Sequence, residues 1–288
     1  MKGQFAIIDP DLLGSSARAQ KLDVFLCGPG FLSSGFDARD KIKSMLETNY
    51  DTNVVYGEDI VEMKRRSTTL VDLQTLESQF AHTVDFTILM LDSPGAIAEL
   101  GTFSMIPNIM ARLFIVVSQK YHRSGSYIAR GPLSLIASYS INNIIYYDNN
   151  HMQSLFNGLM YPVCLYKFVK SEQGFLYYRN AIYKFRGKTF GRNDYVEYVK
   201  PQRERFIDCI TLAAINILQQ PTFTELVGQL GLHPGDVSGG LHRLMARNVV
   251  EKVGNRSYRA RNGYSDDLLR PFSSTALSKR RAEFLATA

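Results

Sequence analysis

Five short apolar runs punctuate the first half of the chain: LDVFLC at 22–27, NVVYGEDI at 53–60, DFTILMLD at 85–92, ARLFIVVSQ at 111–119 and INNIIYYD at 141–148. Between them lie stretches with helical spacing, namely DARDKIKSMLETN, TTLVDLQTLESQFAHTV at 68–84 and GAIAELGTFSMI. Strands separated by helices are joined by crossovers, so they pair in parallel and are covered on both faces. The predicted fold is therefore an α/β domain with a parallel, Rossmann-like sheet. Such a sheet takes its ligand beyond the C-terminal ends of its strands. The loops at 28–35, 57–60 and 92–99 are expected to converge there.

Each of these loops carries candidate residues. In CGPGFLSSG, Gly28 and Gly30 around Pro29 permit close backbone approach, and the next helix offers free N–H groups to a ribose or phosphate. A Gly-Pro turn is also often only a turn. Glu58 and Asp59 close the second apolar run, where acids serve as helix caps as readily as ligand contacts. Glu77 falls within a helix, eight residues before Asp85. Asp92, Ser93 and Gly95 open the third helix and could simply cap it. Glu99 is different. It lies near the start of a helix of small and apolar residues that must pack on the sheet, so a carboxylate there needs a reason.

The CGP strand, the acid eight residues before an Asp that starts a strand, and SPGAIAELG-F together resemble the nucleoside 2-deoxyribosyltransferase-like family over roughly residues 22–120. The resemblance implies that Glu99 is the nucleophile and that Glu77 stands where the family has an orienting Asp. It implies that Leu26-Cys27-Gly28-Pro29 replaces an aromatic-Ala-Gly-Pro pattern, from which Cys27 departs. Asp92 falls within one residue of the family's base-contacting acid. By this reading Cys27, Gly28, Pro29, Gly30, Glu58, Asp59, Ser93 and Gly95 surround the substrate. A carboxylate beside C1′ can stabilise an oxocarbenium-like centre or bond to it. Nicotinamide leaves NAD without protonation, whereas a purine wants a proton from an acid such as Asp92. Phosphoribohydrolases that activate cytokinins share a PG-x-x-x-E element but carry a double glycine absent here, and TIR-type NADases set their Glu in a different sequence.

The second half reads differently. Residues 1–150 hold 13 Lys and Arg against 16 Asp and Glu, a net −3; residues 151–288 hold 20 against 11, a net +9. A basic region is either a solvated surface or an attractor of polyanions. In 151–202, Lys167, Lys170, Arg179, Lys184, Arg186, Lys188 and Arg192 interleave with Phe168, Phe175, Tyr177, Tyr178, Tyr183 and Phe190. Such a mixture can stack on bases and neutralise phosphates, or it can be an amphipathic helical connector. From 203 onward the order is helix, helix, helix and hairpin: RERFIDCITLAAINILQQ, then TFTELVGQLG with a Thr222/Glu225 capping box, then a helix at 235–248, then strands around Gly254-Asn255. That order predicts a winged helix-turn-helix, with Ser238, His242, Arg243 and Arg247 facing a groove and Lys252, Arg256 and Arg259 on the wing. The tail SKRRAEFLATA is expected to be loosely ordered.

The expected organisation is thus a catalytic α/β domain at 1–150, a helical connector at 151–202 and a winged-helix domain at 203–288. LDSPGAIAELGTFS, SYIARGPLSLI at 126–136 and the basic helical second half are together similar to the ribosyltransferase-like, DNA-binding effectors of retron anti-phage systems. That likeness implies a toxin that cleaves an N-glycosidic bond. It implies as partners a reverse transcriptase and its multicopy single-stranded DNA (msDNA), an RNA–DNA hybrid. The resemblance to the deoxyribosyltransferase-like family, whose members are oligomers, implies a homo-oligomer. No cofactor is expected; NAD and a nucleoside or nucleotide are the alternative substrates. The alternative from another class is a nucleotide-sensing winged-helix regulator whose α/β domain is inactive. No apolar run reaches the roughly 18 residues of a membrane span, and the N-terminus is too acidic for a signal peptide. Three widely spaced cysteines, Cys27, Cys164 and Cys209, make neither a disulfide framework nor a zinc pattern, so no metal and a cytoplasmic setting are expected.

Overall fold

Strand β1 (Leu22–Cys27) pairs in parallel with β2 (Thr52–Tyr56) on one side and with β3 (Phe86–Met90) on the other. Parallel pairing continues through β4 (Leu113–Ser118) to β5 (Ile144–Tyr147), giving the order β2-β1-β3-β4-β5. This computed structural model describes residues 8–30, 36–65, 72–119, 125–148, 152–171, 200–261 and 266–287. The chain reverses its direction of winding between β1 and β3, which makes their C-terminal ends the switch point where a sheet of this order opens a crevice.

The helices follow from the same alternation. They are α1 (Phe36–Tyr50), α2 (Gly57–Arg65), α3 (Leu73–Ala81), α4 (Pro94–Ser104), α5 (Ser134–Tyr139) and α6 (Met152–Ser171). Phe25, Cys27, Leu89, Ile115 and Val117 point to one face and pack with Ala96, Leu100 and Phe103 of α4. There Phe25 meets Phe80 edge-on at 5.2 Å between centroids. Phe86 and Phe114 point to the other face, where Tyr166 of α6 stacks on Phe86 at 5.2 Å. Gly158 lets α6 approach: a Cβ there would stand 2.5 Å from Ile145 Cγ2. All five strands form where the sequence places them. The second, however, stops at Tyr56, because the chain turns into α2 at Gly57, and Glu58 and Asp59 lie in that helix's first turn rather than on a strand.

Two units emerge. One comprises 21–166 of the described residues; the other joins 8–20 and 167–171 to everything from Lys200 on. The sequence groups the first twenty residues with the sheet, whereas those of them that the structure describes, 8–20, belong to the second unit. Leu13 bridges to Phe272, Gly14 N donates to Pro271 O at 2.7 Å, and Arg280 pairs with Asp9 at 2.6 Å. The second unit is built around α7 (Lys200–Leu218), against which pack α8 (Phe223–Leu230), α9 (Pro234–Ala246), the hairpin β6 (Val250–Val253)–β7 (Ser257–Ala260), and α10 (Ser274–Thr287). The Thr222/Glu225 capping box forms as read. The tail is not loose: it is α10. In the connector, Lys167 and Phe168 are buried, not offered to a ligand, and Lys167 Nζ donates to the carbonyls of Arg18 and Gln20. Arg179, Lys184, Arg186, Lys188, Arg192 and the aromatics from Phe175 to Phe190 lie outside the described residues.

Candidate functional site

The C-terminal end of β1 is held by a residue that the sequence reading overlooked. Arg39, in the first turn of α1, is 1% exposed. Its Nη1 donates to the carbonyls of Gly28 (3.1 Å) and Pro29 (2.7 Å) and to Glu58 Oε1 (3.1 Å), and its Nη2 pairs with Glu58 Oε2. One planar guanidinium thereby ties the loop after β1 to the start of α2. Gly28 must be glycine here. Its φ is +147°, and a Cβ would fall 2.9 Å from Met90 Cβ and 3.2 Å from Met90 O. Gly30 borders the same ion pair, 3.6 Å from Glu58 Oε1 by the same measure. Arg39 escaped notice because one cation near the start of DARDKIK looks like any solvated helix charge.

Three carboxylates surround this end of the strand. Glu77 of α3 is 8% exposed, and its Oε1 would stand 3.0 Å from a Cβ on Gly57. Glu99 lies in the second turn of α4, and its Oε2 is buried with no hydrogen-bond partner among the described residues. Burial first, then the charge of Glu77, pushes the Glu99 carboxyl up to about 7; Arg39 pulls it down and Glu58 pushes it up. Burial, followed by Glu58, also raises Glu77. The charge of Glu77 therefore opposes ionisation of Glu99. Cys27 belongs to the same group. Burial, then Glu99 and Glu77, holds its thiol well above the usual range, so it is not a thiolate nucleophile.

The start of α4 forms a second cluster. Ser93 is the N-cap, its Oγ accepting from Ala96 N at 3.1 Å, and Pro94 takes the first helical position. Gly95 is exposed in the first turn. Asp92 is exposed too, and Tyr147 donates its hydroxyl to Asp92 Oδ2. Asp59 has a structural use, accepting from Tyr56 N at 3.1 Å. The structure thus gathers Cys27, Gly28, Pro29, Gly30, Glu58, Glu77 and Glu99 around Arg39, and sets Asp92, Ser93 and Gly95 at the N-terminal end of the helix that carries Glu99. No group of His, Cys, Asp or Glu able to hold a metal occurs among the described residues. No helix among them is long and apolar enough to cross a membrane.

In the second unit, Ser238 and His242 stand exposed four residues apart on α9, and Lys252 and Arg256 are exposed on the hairpin. Arg243 differs from its expected role. It turns onto the buried Asp208 of α7, Nε to Oδ1 at 2.8 Å, and Arg247 reaches Oδ2 at 3.6 Å. Gly240 leaves room for this contact: a Cβ there would stand 3.2 Å from Ile207 Cγ2 and from Thr211 Oγ1. Arg259 pairs with Glu251 along the hairpin at 2.6 Å.

An open parallel sheet with a carboxylate cluster at its switch point defines a Rossmann-like α/β protein. The chain belongs to the STM3845 retron effector protein family, whose sequence model matches residues 35–239. It is also 27% identical over 135 residues to the "Retron Ec86 putative ribosyltransferase/DNA-binding protein" of Escherichia coli. That alignment covers 47% of this chain and 44% of the relative, so it spans less than half of that protein's length.

Proposed function

We propose that this retron effector breaks the N-glycosidic bond of NAD or of a nucleoside or nucleotide, with Glu99 as the nucleophile. The observation that carries this reading is the buried, unpartnered Glu99 Oε2 beside Glu77 at the switch point. A structural carboxylate would be hydrogen-bonded or solvated. As the C1′–N bond breaks, the base leaves with the electron pair and C1′ becomes cationic. Ionised Glu99 then bonds to C1′ or shields it until water or a second base accepts the sugar. Asp92, Ser93 and Gly95 are placed for the base side, and Gly28, Pro29 and Gly30 for the sugar. The name of the Escherichia coli relative, "putative ribosyltransferase/DNA-binding protein", supports the same reaction class.

The test is direct. Purified protein is incubated with NAD, adenosine and deoxyadenosine, and free base is measured by chromatography. Base release from at least one of them supports the reading. Silence on all three, with nucleic-acid binding intact, would favour a nucleotide-sensing regulator instead.

We further propose that α7, α8, α9 and the hairpin act as a winged helix-turn-helix that grips the msDNA carried by a retron reverse transcriptase, and that this complex restrains the toxin. Helix order, the exposed Ser238–His242 face and the exposed Lys252 and Arg256 support this. Changing Lys252 and Arg256 to Glu should weaken binding to msDNA and flatten its salt dependence by roughly one unit of log–log slope per lost phosphate contact. Arg243→Glu should instead unfold the unit, because it sets a carboxylate against buried Asp208. Salt titration of binding and thermal melting separate the two outcomes. An unchanged salt slope in the Lys252/Arg256 variant would place the grip elsewhere.

A further inference from the structure

We propose that Tyr147 is a positioning residue that aims Asp92 at the leaving base, and that this pair selects substrates whose base carries an N–H donor. The proposal rests on the base-release reading above and adds the specificity of the same site.

Tyr147 ends β5 and is 1% exposed. It reaches past β4 to the end of β3, where its hydroxyl donates to Asp92 Oδ2. A buried tyrosine needs a partner for its O–H, but a backbone carbonyl would do. Here it is spent on an exposed carboxylate instead. Asp92 has no other visible employment. Ser93, not Asp92, caps α4, and among the described residues no other protein group donates to Asp92. With Oδ2 occupied, the free oxygen, Oδ1, accepts in a fixed direction. Ile145 and Tyr147 share the buried face of β5, whose backbone is paired to β4, so the phenol has little freedom to swing. Asp92 lies at the N-terminal end of the helix whose second turn carries Glu99, so the two carboxylates are offered to one ligand from the same helix. The acceptor suits the carboxamide of nicotinamide or the amino group of adenine. A site built to hydrogen-bond an N–H rejects the analogue that lacks it, since its own polar group is then left unpaired.

The experiment compares pairs of substrates that differ only in that donor: NAD against its 3-acetylpyridine analogue, and adenosine against purine riboside. In wild-type protein the donor-bearing member should have the higher kcat/KM. Tyr147→Phe keeps the ring and removes only the hydroxyl. It should shrink that preference about tenfold, through KM rather than kcat. Asp92→Asn, a surface change that leaves the core untouched, should shrink it likewise, and the double variant should lose little more than either single one. Equal losses on both members of a pair in Tyr147→Phe would overturn the proposal while leaving base release standing. If the wild type cleaves none of the four compounds, the proposal and the base-release reading fall together.

Discussion

Glu99→Gln is expected to lower base release at neutral pH by at least about a thousandfold, the scale on which removing a covalent nucleophile acts, and to do so without unfolding the protein. The variant keeps the shape of the side chain and removes its charge. In the native protein that charge is costly. The Glu99 carboxyl titrates near 7 when folded, against 4.5 for an ordinary Glu, so the folded state binds the extra proton. Stability contributed by this group therefore falls as pH rises from about 4.5 to 7, and above that window the ionised form costs about 3 kcal/mol. Gln carries no such cost. Its melting temperature at pH 8 should equal or exceed that of the wild type by a few degrees, while at pH 4 the two should coincide. A residue that weakens its own fold and whose removal abolishes the reaction is placed for chemistry. Retention of base release at the wild-type rate would remove Glu99 from the mechanism.

Arg39→Met is the second large effect. The substitution leaves the carbonyls of Gly28 and Pro29 without their donor and takes from Glu58 the one ion-pair partner it has among the described residues. Arg39 is buried but Glu58 is partly exposed, so the loss of the donor to two carbonyls and a half-solvated carboxylate costs on the order of 1–3 kcal/mol. Kinetics should show a separate signature. Arg39 pulls the Glu99 carboxyl down, so its loss lets burial and Glu77 push that group higher. If ionised Glu99 is the reactive form, kcat/KM in the wild type climbs with pH through about 7, and in Arg39→Met the climb moves to higher pH. Activity lost at pH 7 should return in part at pH 9. Arg39→Lys should restore little, because a single ammonium cannot span two carbonyls and a carboxylate as the planar fork does. A variant weakened by the same factor at every pH, with an unmoved profile, would limit Arg39 to holding the loop.

Much of the sheet unit is legible in the sequence because its strands are buried on both faces and read as continuous apolar runs. Glu99 was legible for the complementary reason: a carboxylate among Ala, Leu and Gly on a packed helix violates the pattern. Arg39 and Tyr147 violate nothing. One is a cation on a charged helix, the other an aromatic at the end of a strand, and only the register of β1 with β3 and the crossing from β5 to β3 reveal what they touch. Arg243 misled in the opposite direction. Its position on α9 suits a groove, but Asp208 lies 35 residues earlier on α7, and no local spacing announces that partner. The grouping of residues 8–20 with the last helices was equally hidden, since a β-bridge from Leu13 to Phe272 leaves no periodic trace.

That last pairing bears on how the molecule is made. Among the described residues the sheet unit is contiguous, and every strand of its sheet has been synthesised once Tyr147 is added. The other unit closes only when Asp9, Leu12 and Gly14 find Arg280, Ser273 and Pro271, contacts separated by some 260 residues of chain. Loop closure over such a span comes late in folding. During synthesis the half that bears Glu99 therefore matures first, and for the time needed to translate about 130 further residues it exists without a finished C-terminal unit. Pulse-labelled nascent chains should show protease-resistant sheet fragments well before the N-terminal segment becomes protected.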